Sequence, residues 1–171
     1  MQHLADKIRS IPDFPKKGIL FRDITTLLSD GESLREAVDG MANLCADLDF
    51  DLVVAPEARG FIVGMPLAYK LGKGFVPVRK AGKLPGPTRR ATYQLEYGED
   101  HLEIHEDSVK PGDRVIVVDD LLATGGTIKS AVDLVEGLGG RVAAVLFLIE
   151  LSDLQGRDSL TGHIVRSLIQ F

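Results

Sequence analysis

The segment Val115-Ile-Val-Val-Asp-Asp-Leu-Leu-Ala-Thr-Gly-Gly-Thr127 joins four β-branched apolar residues, two carboxylates and a run of small residues. The apolar run predicts a buried strand, and the pattern after it predicts an amphipathic helix from about Thr127. Small residues let backbone N–H groups converge on one point, where the start of the helix adds about half a positive charge. This strand-turn-helix unit therefore predicts a binding site for a phosphate monoester.

The polar residues of the segment suggest how a phosphorylated sugar would be held. The hydroxyl groups of Thr124 and Thr127 can donate hydrogen bonds to a phosphate. The carboxylates of Asp119 and Asp120 suit vicinal sugar hydroxyls, either directly or through Mg²⁺. The residues assigned to a ribose 5-phosphate group are Asp119, Asp120, Ala123, Thr124, Gly125, Gly126 and Thr127.

Two other phosphate-binding loops are excluded by the order of the residues. A Walker loop requires Gly-Lys-Ser/Thr, but here Gly126-Thr127 is followed by Ile128. A dinucleotide-binding fingerprint places its glycines before the acidic residue, whereas here Asp119 and Asp120 come first. A purely structural strand-to-helix turn with incidental aspartates stays open as an alternative.

Apolar runs alternate with helical patterns along the chain. Because the predicted strands are apolar on both faces and are separated by helices, we expect an α/β fold with a mainly parallel, twisted sheet flanked by helices. The predicted strands cover residues 52–55, 75–78, 115–118 and 142–149, and the predicted helices cover residues 34–48, 60–71 and about 127–138. A capping box at Ser33-Leu-Arg-Glu36 would open the first helix, and Pro66 would kink the second or mark its beginning.

One region breaks the alternation of strands and helices. Residues 92–105 alternate around Gly98-Glu-Asp100, which predicts a β-hairpin, and Gly82-Lys-Leu-Pro-Gly-Pro87 predicts a mobile loop ahead of it. We expect one domain over residues 1–171. Its parts are an N-terminal segment at 1–33, an α/β core at 34–150 with a flexible loop at about 81–105, and a C-terminal tail at 151–171.

The composition is that of an ordinary globular domain, with 44% hydrophobic and 26% charged residues in 171. The longest apolar run, at 142–149, is too short to span a bilayer. The formal net charge of −5 argues against nucleic-acid binding as the main role. Cys45 is the only cysteine, which suits a reducing, cytoplasmic compartment. We therefore expect neither a nucleic-acid nor a membrane partner.

Charged residues cluster where three predicted strands end: Arg59 after 52–55, Arg79 and Lys80 after 75–78, and Asp119 and Asp120 after 115–118. Open α/β sheets bind ligands at this edge, so we expect one shared site. The stretch from Arg79 to Arg90 contains five basic residues and no acid, which suggests a small anionic ligand. Lys83 would reach this ligand when its loop closes, whereas Arg89 and Arg90 are expected to be solvated.

The segment at 115–127 resembles the signature of the type I phosphoribosyltransferases. Five further blocks, in order along the chain, resemble the branch of that family that acts on adenine: Pro12-Asp-Phe-Pro15, Gly18-Ile-Leu-Phe-Arg-Asp-Ile24, Glu57-Ala-Arg-Gly-Phe61, Arg79-Lys-Ala-Gly-Lys-Leu-Pro85 and Leu95-Glu-Tyr-Gly98. The resemblance covers essentially the whole chain. It implies the three-layer fold of this family, with residues 1–33 as a hood over the base.

This resemblance implies transfer of the 5-phosphoribosyl group from phosphoribosyl diphosphate to N9 of adenine, giving AMP and diphosphate in purine salvage. A dissociative transition state with positive charge on the ribose is expected, as in other glycosyl transfers. The protein then has to hold the sugar, neutralise the leaving diphosphate, exclude water and remove the N9 proton. The implied partners are adenine, phosphoribosyl diphosphate with its Mg²⁺, and a second copy of the chain in a homodimer.

The resemblance also assigns residues to these tasks. Arg59, Lys83 and Glu96 are the expected catalytic residues, with Glu96 as the general base for the N9 proton. The turn at Glu57-Ala58 is expected to contact diphosphate through backbone amides, often with a cis peptide bond. The expected diphosphate-binding residues are Glu57, Ala58, Arg59, Gly60, Arg79, Lys80 and Lys83, and the expected adenine-binding residues are Leu20, Phe21 and Arg22.

Two other functions remain open. The same chemistry could act on another base, such as hypoxanthine, xanthine or orotate, because readout by main-chain groups leaves little side-chain signature. A regulatory protein could keep the phosphoribosyl pocket without turnover. The joint presence of Arg59, Lys83 and Glu96, without an overall positive charge, favours the enzyme over the regulator.

Overall fold

A computed structural model describes residues 2–95 and 98–171. The strands of this part of the chain are β1 (Arg9–Pro12), β2 (Leu20–Asp23), β3 (Leu52–Pro56), β4 (Gly74–Lys80), β5 (Thr88–Leu95), β6 (Gly98–His105), β7 (Arg114–Leu122), β8 (Arg141–Glu150) and β9 (Val165–Gln170). The helices are α1 (Gln2–Asp6), α2 (Thr25–Leu28), α3 (Gly31–Asn43), α4 (Arg59–Leu71) and α5 (Gly126–Gly137), and two 3₁₀ turns follow at Ser152–Leu154 and Gly156–Leu160.

The main sheet has the strand order β5-β6-β4-β3-β7-β8-β9 among the described residues, and β1 and β2 form a separate antiparallel pair. The strands from β4 to β9 in this order are parallel to one another, whereas β6 runs antiparallel to β4 and β5 antiparallel to β6. The mainly parallel sheet that the sequence predicts is therefore confirmed, with an antiparallel hairpin added at one edge.

Alternate residues of β7 explain why helices cover both faces of the sheet. Ile116 and Val118 pack in one apolar cluster with residues of α3 and α4, including Met41 and Leu67. Val117, on the opposite face, packs in a second cluster with residues of α5. Successive strand residues point to opposite faces, so an unbroken apolar run requires two covering layers. The predicted three-layer architecture is confirmed.

The ends of two helices test the local predictions. Helix α4 ends at Leu71 and is followed by Gly72, whose left-handed φ of 63° terminates it as predicted. Pro66 lies inside α4, so it does not mark the beginning of the helix. The predicted capping box at Ser33 is wrong, because the carboxylate of Asp30 accepts the hydrogen bonds of the Glu32 and Ser33 amides and caps α3.

Strands β4 and β7 are longer than their apolar runs. Asp119 and Asp120 lie within β7, and Arg79 and Lys80 lie within β4. The prediction that these residues come after their strands was wrong, because pairing with neighbouring strands continues the ladder past the apolar part. In β7 the pairing with β8 reaches Leu122.

The hairpin is built from β5 and β6, which pair from Thr88 to Leu95 along its first strand. Gly98 and Asp100, predicted as part of the turn, instead lie in β6 and pair with Leu95 and Tyr93. Strand β6 also pairs with β4, so much of the region predicted as a flexible loop extends the main sheet.

The chain outside residues 34–150 contributes to the core. Strand β9 pairs in parallel with β8, so the expectation that the tail lies outside the α/β core was wrong. Leu4 and Ile24 of the N-terminal segment are buried against α3 and α4 in the first apolar cluster. In residues 2–95 and 98–171, no helix is long and apolar enough to cross a membrane.

Candidate active site

The residues predicted to bind ribose 5-phosphate line one open cleft at the carboxyl ends of the parallel strands. The cleft has a volume of about 420 Å³. Gly125 adopts a left-handed φ of 88° where β7 turns into α5, so the N-terminal end of α5 borders the cleft. The lining residues are Glu57, Ala58, Arg59, Tyr93 and all of residues 119–128.

The carboxylates of Asp119 and Asp120 both line this cleft, where Asp120 is buried and Asp119 is partly buried. Asp119 Oδ1 accepts a hydrogen bond of 2.8 Å from the Asp120 amide. Asp120 Oδ2 lies 3.2 Å from Arg59 Nε as an ion pair, but the contact lacks hydrogen-bond geometry. Within residues 2–95 and 98–171, no group donates a hydrogen bond to this buried oxygen. Burial raises the pKa of both carboxyl groups, repulsion by Asp120 raises that of Asp119 further, and Arg59 partly opposes the rise at Asp120.

The start of α4 requires a residue without a side chain at Gly60. A β-carbon on Gly60 would lie 3.0 Å from Asp119 Oδ1 and 3.1 Å from the Pro56 ring. The glycine therefore permits the close approach of α4 to the carboxylate of β7.

The turn between β3 and α4 contains the cis peptide bond expected at Glu57-Ala58. The buried carboxylate of Glu57 binds Arg79 and Lys83, two of the basic residues predicted to bind an anionic ligand. Glu57 Oε2 accepts hydrogen bonds from Arg79 Nη2 and Lys83 Nζ, both at 3.1 Å, and Oε1 accepts one of 2.7 Å from the Lys80 amide. Burial of Glu57 would raise its pKa, but the hydrogen bonds from Lys80, Lys83 and Arg79 outweigh it, so the pKa is lowered.

The side chain of Lys80 points away from this cluster. Its ammonium group pairs with Asp100 at 2.9 Å, on the hairpin. Tyr93 donates a hydrogen bond of 3.0 Å to the same carboxylate, and these partners lower the pKa of Asp100 to about 2. Successive residues of β4 face opposite sides, which is why Arg79 and Lys80 separate. The sequence analysis did not predict that Tyr93 lines the cleft. The signal that could have indicated it is the pairing of Tyr93 with Asp100 across the hairpin.

The predicted adenine residues lie on β2, beside the cleft. The guanidinium of Arg59 lies 5.4 Å from the centre of the Phe21 ring, which also packs edge-on against Phe14. Leu20 is exposed. The side chain of Arg22 instead lies 3.8 Å over the ring of Phe171, which ties β2 to the C-terminus.

Two predicted features of the hairpin have different outcomes. Glu96, the predicted general base, lies outside the residues that the structure describes. Arg89 and Arg90 are both exposed, as predicted, although each also contacts a neighbouring element. Arg90 donates hydrogen bonds of 3.0 and 2.7 Å to the buried carboxylate of Glu103, and Arg89 packs against Gly137 at the end of α5. Glu103 also accepts a hydrogen bond from the backbone amide of Gly82, so it ties the start of the 81–87 loop to the hairpin.

Comparison with known proteins identifies this arrangement. A model of the phosphoribosyl transferase domain matches residues 28–166. An adenine phosphoribosyltransferase of Clostridium perfringens is 62% identical over 168 residues, which are 98% of each chain. The chain belongs to the adenine phosphoribosyltransferase family.

Solved structures of the adenine phosphoribosyltransferase family support the same fold. The crystal structure of a member from Thermoanaerobacter pseudethanolicus has a TM-score of 0.98 at 55% identity and covers 99% of both chains. A member from Saccharomyces cerevisiae, crystallised with D-2,5-dideoxy-2,5-imino-altritol 1,6-bisphosphate and adenine, has a TM-score of 0.92 at 39% identity and covers 98% of this chain and 97% of that one. The predicted family and fold class are both confirmed.

Proposed function

We propose that this chain transfers the 5-phosphoribosyl group of phosphoribosyl diphosphate to N9 of adenine, giving AMP and diphosphate in purine salvage. The observation that carries the proposal is one cleft that joins three parts: the loop at 123–127, the Asp119–Asp120 pair and the Glu57–Arg59 turn. These parts correspond to the phosphate, the ribose and the leaving group of one substrate. The 62% identity to a relative named for this activity supports the choice of adenine.

The phosphate and the ribose would bind at the end of β7. We assign the 5-phosphate to residues 123–127, where the N-terminal end of α5 supplies backbone N–H groups. Asp119 and Asp120 would accept hydrogen bonds from the ribose hydroxyls. Positive charge develops on the ribose in a dissociative transfer, and a carboxylate pair beside the ring stabilises that charge more than the neutral ground state.

The diphosphate would bind at the ends of β3 and β4. Arg59, Arg79 and Lys83 are the cations there, with backbone groups of the Glu57-Ala58-Arg59-Gly60 turn and of Lys80 nearby. The Glu57 carboxylate neutralises Arg79 and Lys83 and keeps them beside the cleft until the diphosphate replaces it as their partner. Closure of the 81–87 loop would bring Lys83 over the leaving group and exclude water.

Mg²⁺ would enter with the diphosphate as part of the substrate. The carboxylates of Asp119 and Asp120 fit such a cation, because they offer hard oxygen ligands. Asp120 Oδ2 accepts no hydrogen bond from the described residues. The cation would supply charge neutralisation on the leaving group.

Adenine would lie under β2, the strand that places Phe21 next to Arg59. Leu20, Phe21 and Arg22 are the proposed base-contacting residues, through main-chain groups in the case of Phe21 and Arg22. Glu96 is the proposed general base that takes the N9 proton, and loss of water on closure would raise its basicity.

Three further properties complete the proposal. The chain is expected to fold as one domain, since β9 of the tail joins the main sheet. It is expected to form a homodimer, which light scattering after gel filtration would test. A cytoplasmic location is expected because the buried Cys45 is a free thiol, which suits a reducing compartment.

Diphosphate release is the direct test. The protein is mixed with Mg²⁺, phosphoribosyl diphosphate and one base at a time: adenine, hypoxanthine, xanthine or orotate. Release with adenine is the expected result. Release only with hypoxanthine would refute the choice of base, and no release with any base would refute the enzyme in favour of a phosphoribosyl-binding regulator.

The general base is tested separately with Glu96→Gln, which keeps the shape of the side chain and removes its charge. We expect a lower kcat with little change in the KM for phosphoribosyl diphosphate, because the proton is removed only during the chemical step. An unchanged kcat would remove this role from Glu96.

A further inference from the structure

The turn that follows β8 packs directly behind the loop proposed to bind the 5-phosphate. A β-carbon on Gly156 would lie 2.2 Å from the carbonyl oxygen of Ala123, and one on Gly125 would lie 1.9 Å from Ser159 Oγ. The two segments thus touch backbone against backbone, at a distance that only glycine permits. The position of residues 123–127 therefore depends on the position of residues 156–160.

The turn at 156–160 is held in place from both ends. Ahead of it, the Leu151 amide donates a hydrogen bond of 2.9 Å to the Leu122 carbonyl, at the last residue of β7. At its far end, Leu160 is buried in the apolar cluster that includes Leu122 and Ile128. The middle of the turn has no apolar anchor of this kind, since Arg157 and Ser159 are polar.

A bidentate ion pair supplies the missing anchor. Arg157 Nε and Nη2 donate hydrogen bonds of 2.6 and 2.7 Å to the two oxygens of the buried Glu150 carboxylate. Arg157 Nη1 donates a third, of 2.9 Å, to the Val165 carbonyl at the start of β9. Ser167 Oγ and Gln170 Nε2 of β9 also donate to Glu150. The arginine therefore joins the turn to β8 and β9 in a single defined geometry.

We propose that Arg157, held by Glu150, is a positioning residue for the loop that binds the 5-phosphate of phosphoribosyl diphosphate. The inference rests on the proposed function for the identity of the ligand. Arg157 touches no substrate in this arrangement and acts through Gly156 and Ser159 on Ala123 and Gly125. A loop that binds phosphate through backbone N–H groups has no long side chains to compensate for a shift, so its shape decides its affinity.

The experiment compares four proteins: the unaltered chain, Arg157→Gln, Arg157→Lys and the control Arg166→Gln. Arg166 makes a similar set of contacts on another part of the sheet, with two donors to the Asp47 carboxylate and one to the Leu44 carbonyl. Ribose 5-phosphate is titrated into each protein by calorimetry. The KM values for phosphoribosyl diphosphate and for adenine, and the thermal midpoint, are measured alongside.

For Arg157→Gln we expect ribose 5-phosphate to bind about tenfold more weakly or worse, because small displacements of a binding group can cost up to about 100-fold. The KM for phosphoribosyl diphosphate should rise in parallel, and that for adenine should stay within about twofold. Arg157→Lys should recover part of the loss, since it keeps the charge but not the two-pronged geometry. Arg166→Gln should bind ribose 5-phosphate as the unaltered chain does.

A lower thermal midpoint of Arg157→Gln with unchanged affinity for ribose 5-phosphate would overturn the proposal and leave a purely structural ion pair. An equal loss in Arg166→Gln would overturn it as well. If Arg157→Gln does not fold, Arg157→Lys decides: a change in affinity of about threefold or more supports the proposal, and a smaller one refutes it. Failure of the unaltered chain to release diphosphate would refute the proposed function, yet the titration would still decide the role of Arg157.

Discussion

Replacing Asp119 by asparagine should stabilise the ligand-free protein and at the same time weaken its binding of ribose 5-phosphate. Asp119 shares its site with Asp120, and burial together with their mutual repulsion raises the pKa of Asp119 well above its usual range. An asparagine keeps the oxygen that accepts the hydrogen bond of the Asp120 amide. It also brings an NH₂ group to a side chain that interacts with the Asp120 carboxylate, whose Oδ2 accepts no hydrogen bond from the described residues; we expect this group to donate to it.

The size of the effect follows from that unsatisfied oxygen. A buried polar group without a hydrogen-bond partner costs about 1 to 3 kcal/mol. In a chain of this size, a gain of that order corresponds to a rise in Tm of about 2 to 10 °C. Binding should change in the opposite direction, because the amide no longer offers two acceptor oxygens to the ribose hydroxyls.

The raised pKa of Asp119 determines how the difference in stability between the two proteins varies with pH. A raised pKa means that folded Asp119 holds its proton more tightly than unfolded Asp119 does. The unaltered protein therefore loses stability as the pH rises from the ordinary value of 3.8 through the higher folded value, and the loss is complete above it. The Asp119→Asn variant lacks this titration. The gap in Tm between the two proteins should be small in acid and should grow toward neutral pH.

Thermal unfolding by circular dichroism, from acidic to mildly alkaline pH, measures this gap. The matched control is Asp47→Asn, since the hydrogen bond from Arg166 lowers the pKa of Asp47 and its removal should not raise the Tm. A lower Tm for Asp119→Asn at neutral pH would refute the reasoning, as would a gap that does not vary with pH. Calorimetric titration with ribose 5-phosphate tests the binding half of the prediction.

Two further predictions concern single contacts. Arg9 lowers the pKa of Asp23 to about 2, so the stability that this pair contributes is present above pH 3.8 and is lost as the pH falls through about 2. The Tm of Arg9→Gln should therefore lie below that of the unaltered chain at neutral pH. In strong acid the two Tm values should converge. Gly125→Ala should lower the Tm and abolish ribose 5-phosphate binding, because its φ is left-handed and its β-carbon would collide with Ser159. Gly126→Ala has open space and an ordinary φ, so its Tm should be unchanged or higher; equal Tm values for the two glycine variants would contradict this account.

The sequence predicts features that depend on local pattern better than features that depend on pairing. The apolar run before Asp119 determines a strand with two covered faces, and the glycine after α4 determines where that helix ends. The position of the hairpin turn was wrong because the ladder between β5 and β6, rather than local turn preference, places Gly98 and Asp100 within a strand. Asp30 and Ser33 are both good helix caps, and only the chain path selects Asp30.

The roles of Glu103 and Glu150 could not be predicted because their partners are distant in sequence or lie on strands whose register is unknown beforehand. Glu103 of β6 accepts a hydrogen bond from Arg90 of β5. Glu150 accepts hydrogen bonds from Arg157 and from side chains of β9. From the adjacent sequence alone, Glu103 and Glu150 would both be predicted to be exposed strand residues. Burial of an acidic residue becomes visible only once its basic partner is located in space.

Pairing of buried charges also explains how the fold accommodates a cleft with so many ionisable side chains. Glu57 pairs with Arg79 and Lys83, and Asp120 pairs with Arg59, so these buried carboxylates each have a cation beside them. A diphosphate would compete with Glu57 for Arg79 and Lys83. Its affinity would therefore reflect the difference between its own attraction to these two cations and the attraction of Glu57 to them. Among the described residues, Arg59 is the only cation that pairs with either aspartate, and a ribose that carries positive charge would offset this shortage. The repulsion that Asp119→Asn is expected to relieve is therefore the same electrostatic imbalance that would favour the transition state of the proposed transfer.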